Sequence, residues 1–211
     1  MTSAPPTRPT SPDPADTFDV SDLFVPSGWH LPSGSLGGAD LSGPSGPFDP
    51  AAPLDRPIAG RAAFRDAVRR AFSEAASAGW RELWCCDETF ADWPLNDAGV
   101  IASLVRWARP QRRLTLIARH FDDLAVRHPR WVAWRRTWSH VVVCRAVEPE
   151  MRLDVPTLLC APPSCTLRLA DGVRHLGTLT TDARDAVAAR EQIDAISQRS
   201  SETFGATTLG L

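Results

Sequence analysis

Hydrophobic positions change their spacing along this chain, and each change marks an element. Over residues 1–55 they show no period. Beyond Pro57, Phe64, Val68, Ala71, Phe72 and Ala75 recur every three or four residues, with Arg61, Arg65 and Arg69 between them. That spacing predicts an amphipathic helix stopped by Gly79. Trp80–Cys86 then reads as a strand closed by Asp87-Glu88. Asn96 or Asp97 caps a second helix carrying Val100, Ile101, Leu104, Val105 and Trp107, which Pro110 ends. Leu114–Ala118 is an apolar run of the kind found in strands buried on both faces. A helical pattern from Asp122 to Trp138 is interrupted at Pro129, and His140–Cys144 is a third strand. Pro156–Cys160, Cys165–Leu169 and Val173–Thr178 are shorter strands, the last two joined by Asp171-Gly172, a strong hairpin signal. Thr181-Asp182 caps a last helix that runs to about Ser200.

Strand, helix, strand, helix, strand at such short spacing predicts an α/β fold with a parallel sheet and right-handed crossovers. The chain of 211 residues divides into an arm, one domain and a tail. Twelve of the 19 prolines fall in the first 57 residues, beside stretches such as Pro32–Gly38. Such composition buries too little apolar surface to offset its ordering entropy, so residues 1–55 read as a disordered acidic arm, 56–200 as the α/β domain and 201–211 as a flexible tail. Met1–Pro6 has neither the basic nor the apolar segment of a signal peptide, and no apolar run reaches the ~18–20 residues of a membrane span. With five cysteines in no framework spacing, a reducing cytoplasm is expected, with no membrane attachment.

All 23 basic side chains are arginine; the chain has no lysine. Schiff-base lysines and phosphate-loop lysines are therefore excluded. Arginine binds anions but keeps its proton, so it is a poor base or nucleophile. Residues 1–55 carry seven Asp and one Arg, whereas residues 103–145 carry ten Arg against Asp122 and Asp123 alone. The basic stretch points to an anionic partner, such as nucleic acid. Its candidate binding residues are Arg119, Arg127, Arg130, Arg135, Arg136 and Arg145. Trp131, Trp134 and Trp138 share one face of the interrupted helix with Leu124, which burial against the sheet explains more cheaply than base stacking. Asp87 and His120 follow the first and second strands, where open sheets place ligand crevices, and are candidate acid/base groups with Arg119 beside them. The five cysteines are read as buried hydrophobes. No motif calls for a metal or another cofactor.

Ser164-Cys-Thr166-Leu-Arg-Leu-Ala-Asp171, followed by Gly177-Thr178, falls on the hairpin after the predicted α/β/α order. In this order and at this place the chain resembles a bacterial family of phospholipase D-like domains over roughly residues 58–200. The family's signature is His-x-Lys-x4-Asp and then Gly-Ser/Thr. Asp171, Gly177 and Thr178 match it, while Ser164 and Thr166 occupy the His and Lys positions. The resemblance implies a three-layer α/β/α sandwich around a mostly parallel central sheet, with a C-terminal hairpin and a closing helix. It also implies a centre without its nucleophile or its fixed cation. The expected function is non-catalytic binding or regulation towards an anionic partner. The alternatives are a phosphodiesterase with a rebuilt site and a structural subunit that pairs with a second copy.

Overall fold

The computed structural model describes residues 54–148, 150 and 153–203. The expected disordered arm lies outside the described residues except for Leu54 and Asp55, and so does the expected tail beyond Thr203. In chain order the elements are β1 (Arg56–Ala59), α1 (Arg61–Ala78), β2 (Glu82–Asp87), α2 (Ala98–Trp107), β3 (Arg113–Ala118), α3 (Asp122–Arg127) and α4 (Pro129–Thr137). There follow β4 (Val142–Val147), β5 (Leu158–Ala161), β6 (Cys165–Asp171), β7 (Leu176–Thr180), α5 (Ala183–Ser197) and β8 (Ser200–Glu202).

Local signals explain most boundaries. α1 buries Phe64, Ala67, Val68, Ala71, Phe72 and Ala75 on one stripe. It ends where Gly79 adopts a left-handed φ of 72° and returns its N–H to the Ala75 carbonyl. Asp97 caps α2 by accepting from the Gly99 N–H at 2.9 Å. Burial opposes its ionisation, but this bond and one from Arg69 hold its carboxyl below the usual range. Asp182 caps α5 in the same way, through the Arg184 N–H at 2.7 Å. Pro129 separates α3 from α4 at the expected break and serves as the first residue of α4.

The eight strands form one sheet in the order β1-β7-β6-β5-β2-β3-β4-β8. The expected mostly parallel sheet is corrected here. Only β2–β3 and β3–β4 are parallel. The other pairs, β1–β7, β6–β7, β5–β6, β2–β5 and β4–β8, are antiparallel. The physical reason is a meander: β5, β6 and β7 are joined by turns too short for crossovers, so they run antiparallel, and they insert between β1 and β2. β1 and β8, which hydrophobic spacing did not predict, complete the margins. Asp55 and Ser201 therefore belong to the folded domain: the Asp55 carboxylate accepts from the Thr181 hydroxyl at 2.8 Å, and Ser201 pairs with Ala146.

Helices cover both faces. α1, α2, α3 and α4 pack over Leu83, Leu114, Leu116, Cys144 and Leu167. α5 packs Ala189, Ile193 and Ile196 over Cys86, Ile117, Leu158 and Cys160. Trp131 and Trp134 are buried with Leu124 in the first cluster, and Trp138 is partly buried against it. The tryptophan stripe thus faces the core, where truncating one such side chain costs about 3–5 kcal/mol.

The β6–β7 ladder shifts register between Leu169 and Asp171. At this irregularity the backbones approach so closely that a Cβ on Gly177 would lie 2.0 Å from the Arg168 carbonyl oxygen. Gly177→Ala is therefore expected to lower the unfolding free energy by about 2–3 kcal/mol, measured by urea denaturation. A change within 0.5 kcal/mol would show that the ladder relaxes freely.

Candidate functional site

Following the pairings round the sheet, β1, β2, β3 and β4 all point the same way. The helices between them must return in the opposite sense, so each connection ends at the start of the next strand. This wiring sorts polar groups to two ends. The end where β2, β3 and β4 begin collects Arg81, Arg106, Arg109, Arg112, Arg113, Arg136 and His140. The end where they finish collects Asp87, Glu88, Arg119, His120, Arg127 and Arg130.

At the finishing end lies a cleft of about 480 Å³, lined by Phe64, Asp87, Asp92, Thr157, Leu169 and His175 among others. Asp87 closes the turn after β2: one carboxylate oxygen accepts from the N–H groups of Thr89 (3.1 Å) and Phe90 (2.8 Å), the other from the Thr157 hydroxyl (2.7 Å). Its acceptor capacity is thus committed to structure. Arg119 is held by Glu88 and by the Leu153 carbonyl. His120 is exposed and lies outside the cleft lining. Of Asp87, Arg119 and His120, which were expected to converge, only Asp87 lines the cleft.

The imidazole in this cleft is His175. Its Nε2 lies 3.1 Å from Asp92 Oδ2, and the other Asp92 oxygen pairs with Arg61 at the start of α1. The ring is largely buried and tilts against Phe64, with centroids 5.5 Å apart. Its backbone sits at a left-handed φ of 54°, uncommon for a residue other than glycine, and its carbonyl accepts the Gly60 N–H at 3.0 Å. The partner is 83 residues away in sequence, so no local pattern could have announced the pair.

At the starting end a concavity of about 450 Å³ is lined by Arg81, Gln111, Arg112, Arg113, His140 and Val141. Among the described residues Glu82 is the single acid on its wall, and Arg190 pairs with it at 3.5 Å. Arg81, Arg109, Arg112 and Arg113 form no ion pair with any carboxylate among the described residues. Arg112 is set in place: its guanidinium lies 5.9 Å from the Trp107 ring centroid, and the Trp107 indole N–H donates to the Trp80 carbonyl at 2.7 Å. Gly79 leaves room for it, since a Cβ there would stand 3.3 Å from Arg112 Nη2. Arg112 Nη1 is buried without a hydrogen-bond partner among the described residues.

The arginines expected to form one surface do not. Arg135 is buried, and Arg145 donates to Ser200 and to the Ser197 carbonyl at the end of α5. Arg127 pairs with Asp123, and Arg130 bonds Asn96, both away from the basic concavity. Arg136 alone of the six lies at the basic end, exposed. The motif positions have structural work instead. Asp171 accepts from the N–H groups of Val173 and Arg174 in the hairpin turn. Thr166 is buried, its hydroxyl directed at Cys160. Gly177 is required by the close approach described above, and Thr178 is an exposed ladder residue opposite Pro57 and Arg168. All five cysteines are free and buried; burial pushes Cys144 up to about 11 and Cys165 up to about 12, so they remain protonated thiols at neutral pH. Among the described residues no three His, Cys, Asp or Glu side chains are grouped as metal ligands, and no helix is long and apolar enough to cross a membrane.

Neither a protein-family model nor a curated protein matches the chain. Among solved structures, that of TrmBL2, described as an archaeal chromatin protein with a novel mode of DNA binding, matches with a TM-score of 0.48 and 14% identity. The match covers 71% of this chain and 54% of that one, so the chain spans about half of that protein's length. At this distance the likeness carries no argument about activity.

One buried histidine makes stability depend on pH. His128 sits between α3 and α4 with Nε2 2.9 Å from the Phe90 carbonyl oxygen, so the neutral ring donates there, and Nδ1 is buried without a partner. Burial lowers its pKa, Phe90 opposes that, and Arg65 and Arg127 lower it further. Below about pH 6.5 the unfolded chain takes up a proton that the folded chain resists, so this stability is present above that pH and lost as pH falls. The melting temperature is expected to drop between pH 7 and pH 5.5. His128→Gln, which keeps an N–H for Phe90, should flatten that drop; an unchanged profile would assign the acid sensitivity elsewhere.

Proposed function

We propose that this chain is a non-catalytic α/β domain that binds a phosphate-bearing anionic partner, nucleic acid, at the end of the sheet where β2, β3 and β4 begin. The observation that carries this reading is the concavity rimmed by Arg81, Arg112 and Arg113, with Arg109 nearby, where no guanidinium is paired with a described carboxylate. Guanidinium forks match phosphate oxygens in geometry, and neutralising phosphates releases counterions, which makes such binding steeply salt-dependent. We propose further that the domain is a phospholipase D-like one with a degenerate centre. The work that Asp171, Thr166 and Gly177 do in the ladder and turn supports a centre given over to structure.

Fluorescence titration of the full chain with short oligonucleotides at two salt concentrations tests the reading. Saturable binding that weakens with salt is expected. Arg109→Gln with Arg113→Gln should weaken it about tenfold at low salt and reduce the salt slope by about 1–2. No binding at low salt would overturn the reading, and binding of an acidic peptide instead would move the partner to the protein class.

One observation favours a second reading, hydrolysis by a rebuilt site: in the cleft the Asp92 carboxylate lies at hydrogen-bond distance from the His175 imidazole, the pairing a general base uses. That reading expects slow release of nitrophenol from bis(p-nitrophenyl) phosphate, lost in His175→Asn. Absence of any release from the unaltered chain would remove it.

A further inference from the structure

Resting on that binding reading, we infer that the basic concavity is a receptor for a terminal phosphate, the phosphomonoester end of a ligand, rather than for the continuous phosphodiester backbone. Three features carry this. The first is an unmet donor. Arg112 lines the concavity and its Nη1 is buried with no partner among the described residues, while Arg81, Arg113 and His140 are exposed. A buried N–H left unbonded is unfavourable by about 1–3 kcal/mol, and an oxyanion that engages this guanidinium relieves it. A phosphodiester carries an ester substituent on both sides and would have to draw both into the concavity. A monoester has three free oxygens and enters end-on.

The second feature is charge. A phosphomonoester carries about −1.5 to −2 at neutral pH, whereas each internal diester carries −1. Three guanidinia converge here against Glu82, whose charge Arg190 already offsets. The carbonyl ends of α1, α2 and α4 also face this end, and Arg109 and Arg136 add to the cationic set that balances their partial negative charge. The excess suits a dianion better than a single negative charge.

The third is rigidity. Arg112 is not a solvated surface arginine: Trp107 lies against it, Trp107 is fixed by the Trp80 carbonyl, and Gly79 supplies the space at its other side. The side-chain entropy lost on binding is therefore largely lost already on folding. Val141 closes the wall without adding an acceptor that would repel the ligand.

Two sources share this chemistry: the 5′-phosphate of a nucleic acid and the phosphate of a small metabolite. The full chain is titrated with one oligonucleotide bearing either a 5′-phosphate or a 5′-hydroxyl, and with ribose 5-phosphate as a competitor. The phosphorylated oligonucleotide is expected to bind about tenfold more tightly, matching one added charge-assisted hydrogen-bond set. Arg112→Gln should weaken the salt-dependent binding of both forms and erase that preference. Arg81→Gln and Arg113→Gln, at the exposed rim, should each reduce it and serve where Arg112→Gln fails to fold. Competition by ribose 5-phosphate at micromolar concentration assigns the site to a metabolite, and competition only by the oligonucleotide end assigns it to nucleic acid. Equal affinity for the two oligonucleotides, with no competition by ribose 5-phosphate, overturns the terminal-phosphate site but leaves the binding reading standing. No binding by any of the three overturns both.

Discussion

The described residues are arranged by the need to cover both faces of the central strands. Leu114, Leu116 and Ala118 of β3 point into one apolar cluster and Ile117 into the other, and even Thr115 between them is buried. A strand with no wet face tolerates no charged side chain along its length. Helices must therefore lie above and below, and charged groups are displaced to where strands begin and end. The two ends are then free to differ, and they do. One mixes carboxylates with arginines that they engage, and the other is dominated by guanidinia.

What separates the arginines from one another is whether a partner lies within reach. Arg119 meets Glu88, Arg127 meets Asp123, Arg145 meets Ser200 and the end of α5, and Arg190 lies over Trp84 while pairing with Asp194. Each of these is engaged within the fold. At the basic end, Arg112 has a tryptophan ring and a glycine for neighbours, and Arg81, Arg109 and Arg113 pair with no described carboxylate. Exposed ion pairs contribute little to stability, so the difference bears on binding far more than on folding.

Much of the architecture is legible in the chain because its signals are local. Gly79 and Pro129 end or divide helices through backbone geometry alone, Asp97 and Asp182 cap through their own side chains, and Asp171-Gly172 marks its hairpin. The sheet's mixed direction was not legible, because it depends on which strands become neighbours, and β5 lies beside β2 across a long stretch of sequence. β1 was hidden for a related reason: Arg56–Ala59 borders a proline-rich stretch and becomes a strand only because β7 supplies its hydrogen bonds. The density of arginine in residues 103–145 did indicate a basic region, but which members stay unpaired is decided by distant residues such as Glu88 and Ser200. His175 was missed on the same ground: it meets Asp92 only once the meander is in place.

The two margins of the sheet carry a consequence of their own. One is the four-residue β1, with Pro57 offering no N–H; the other is the three-residue β8. Margins so short, one of them interrupted by proline, present little unpaired backbone to a stranger's strand. Flanks blunted in this way offer a poor template for edge-to-edge stacking into fibrils.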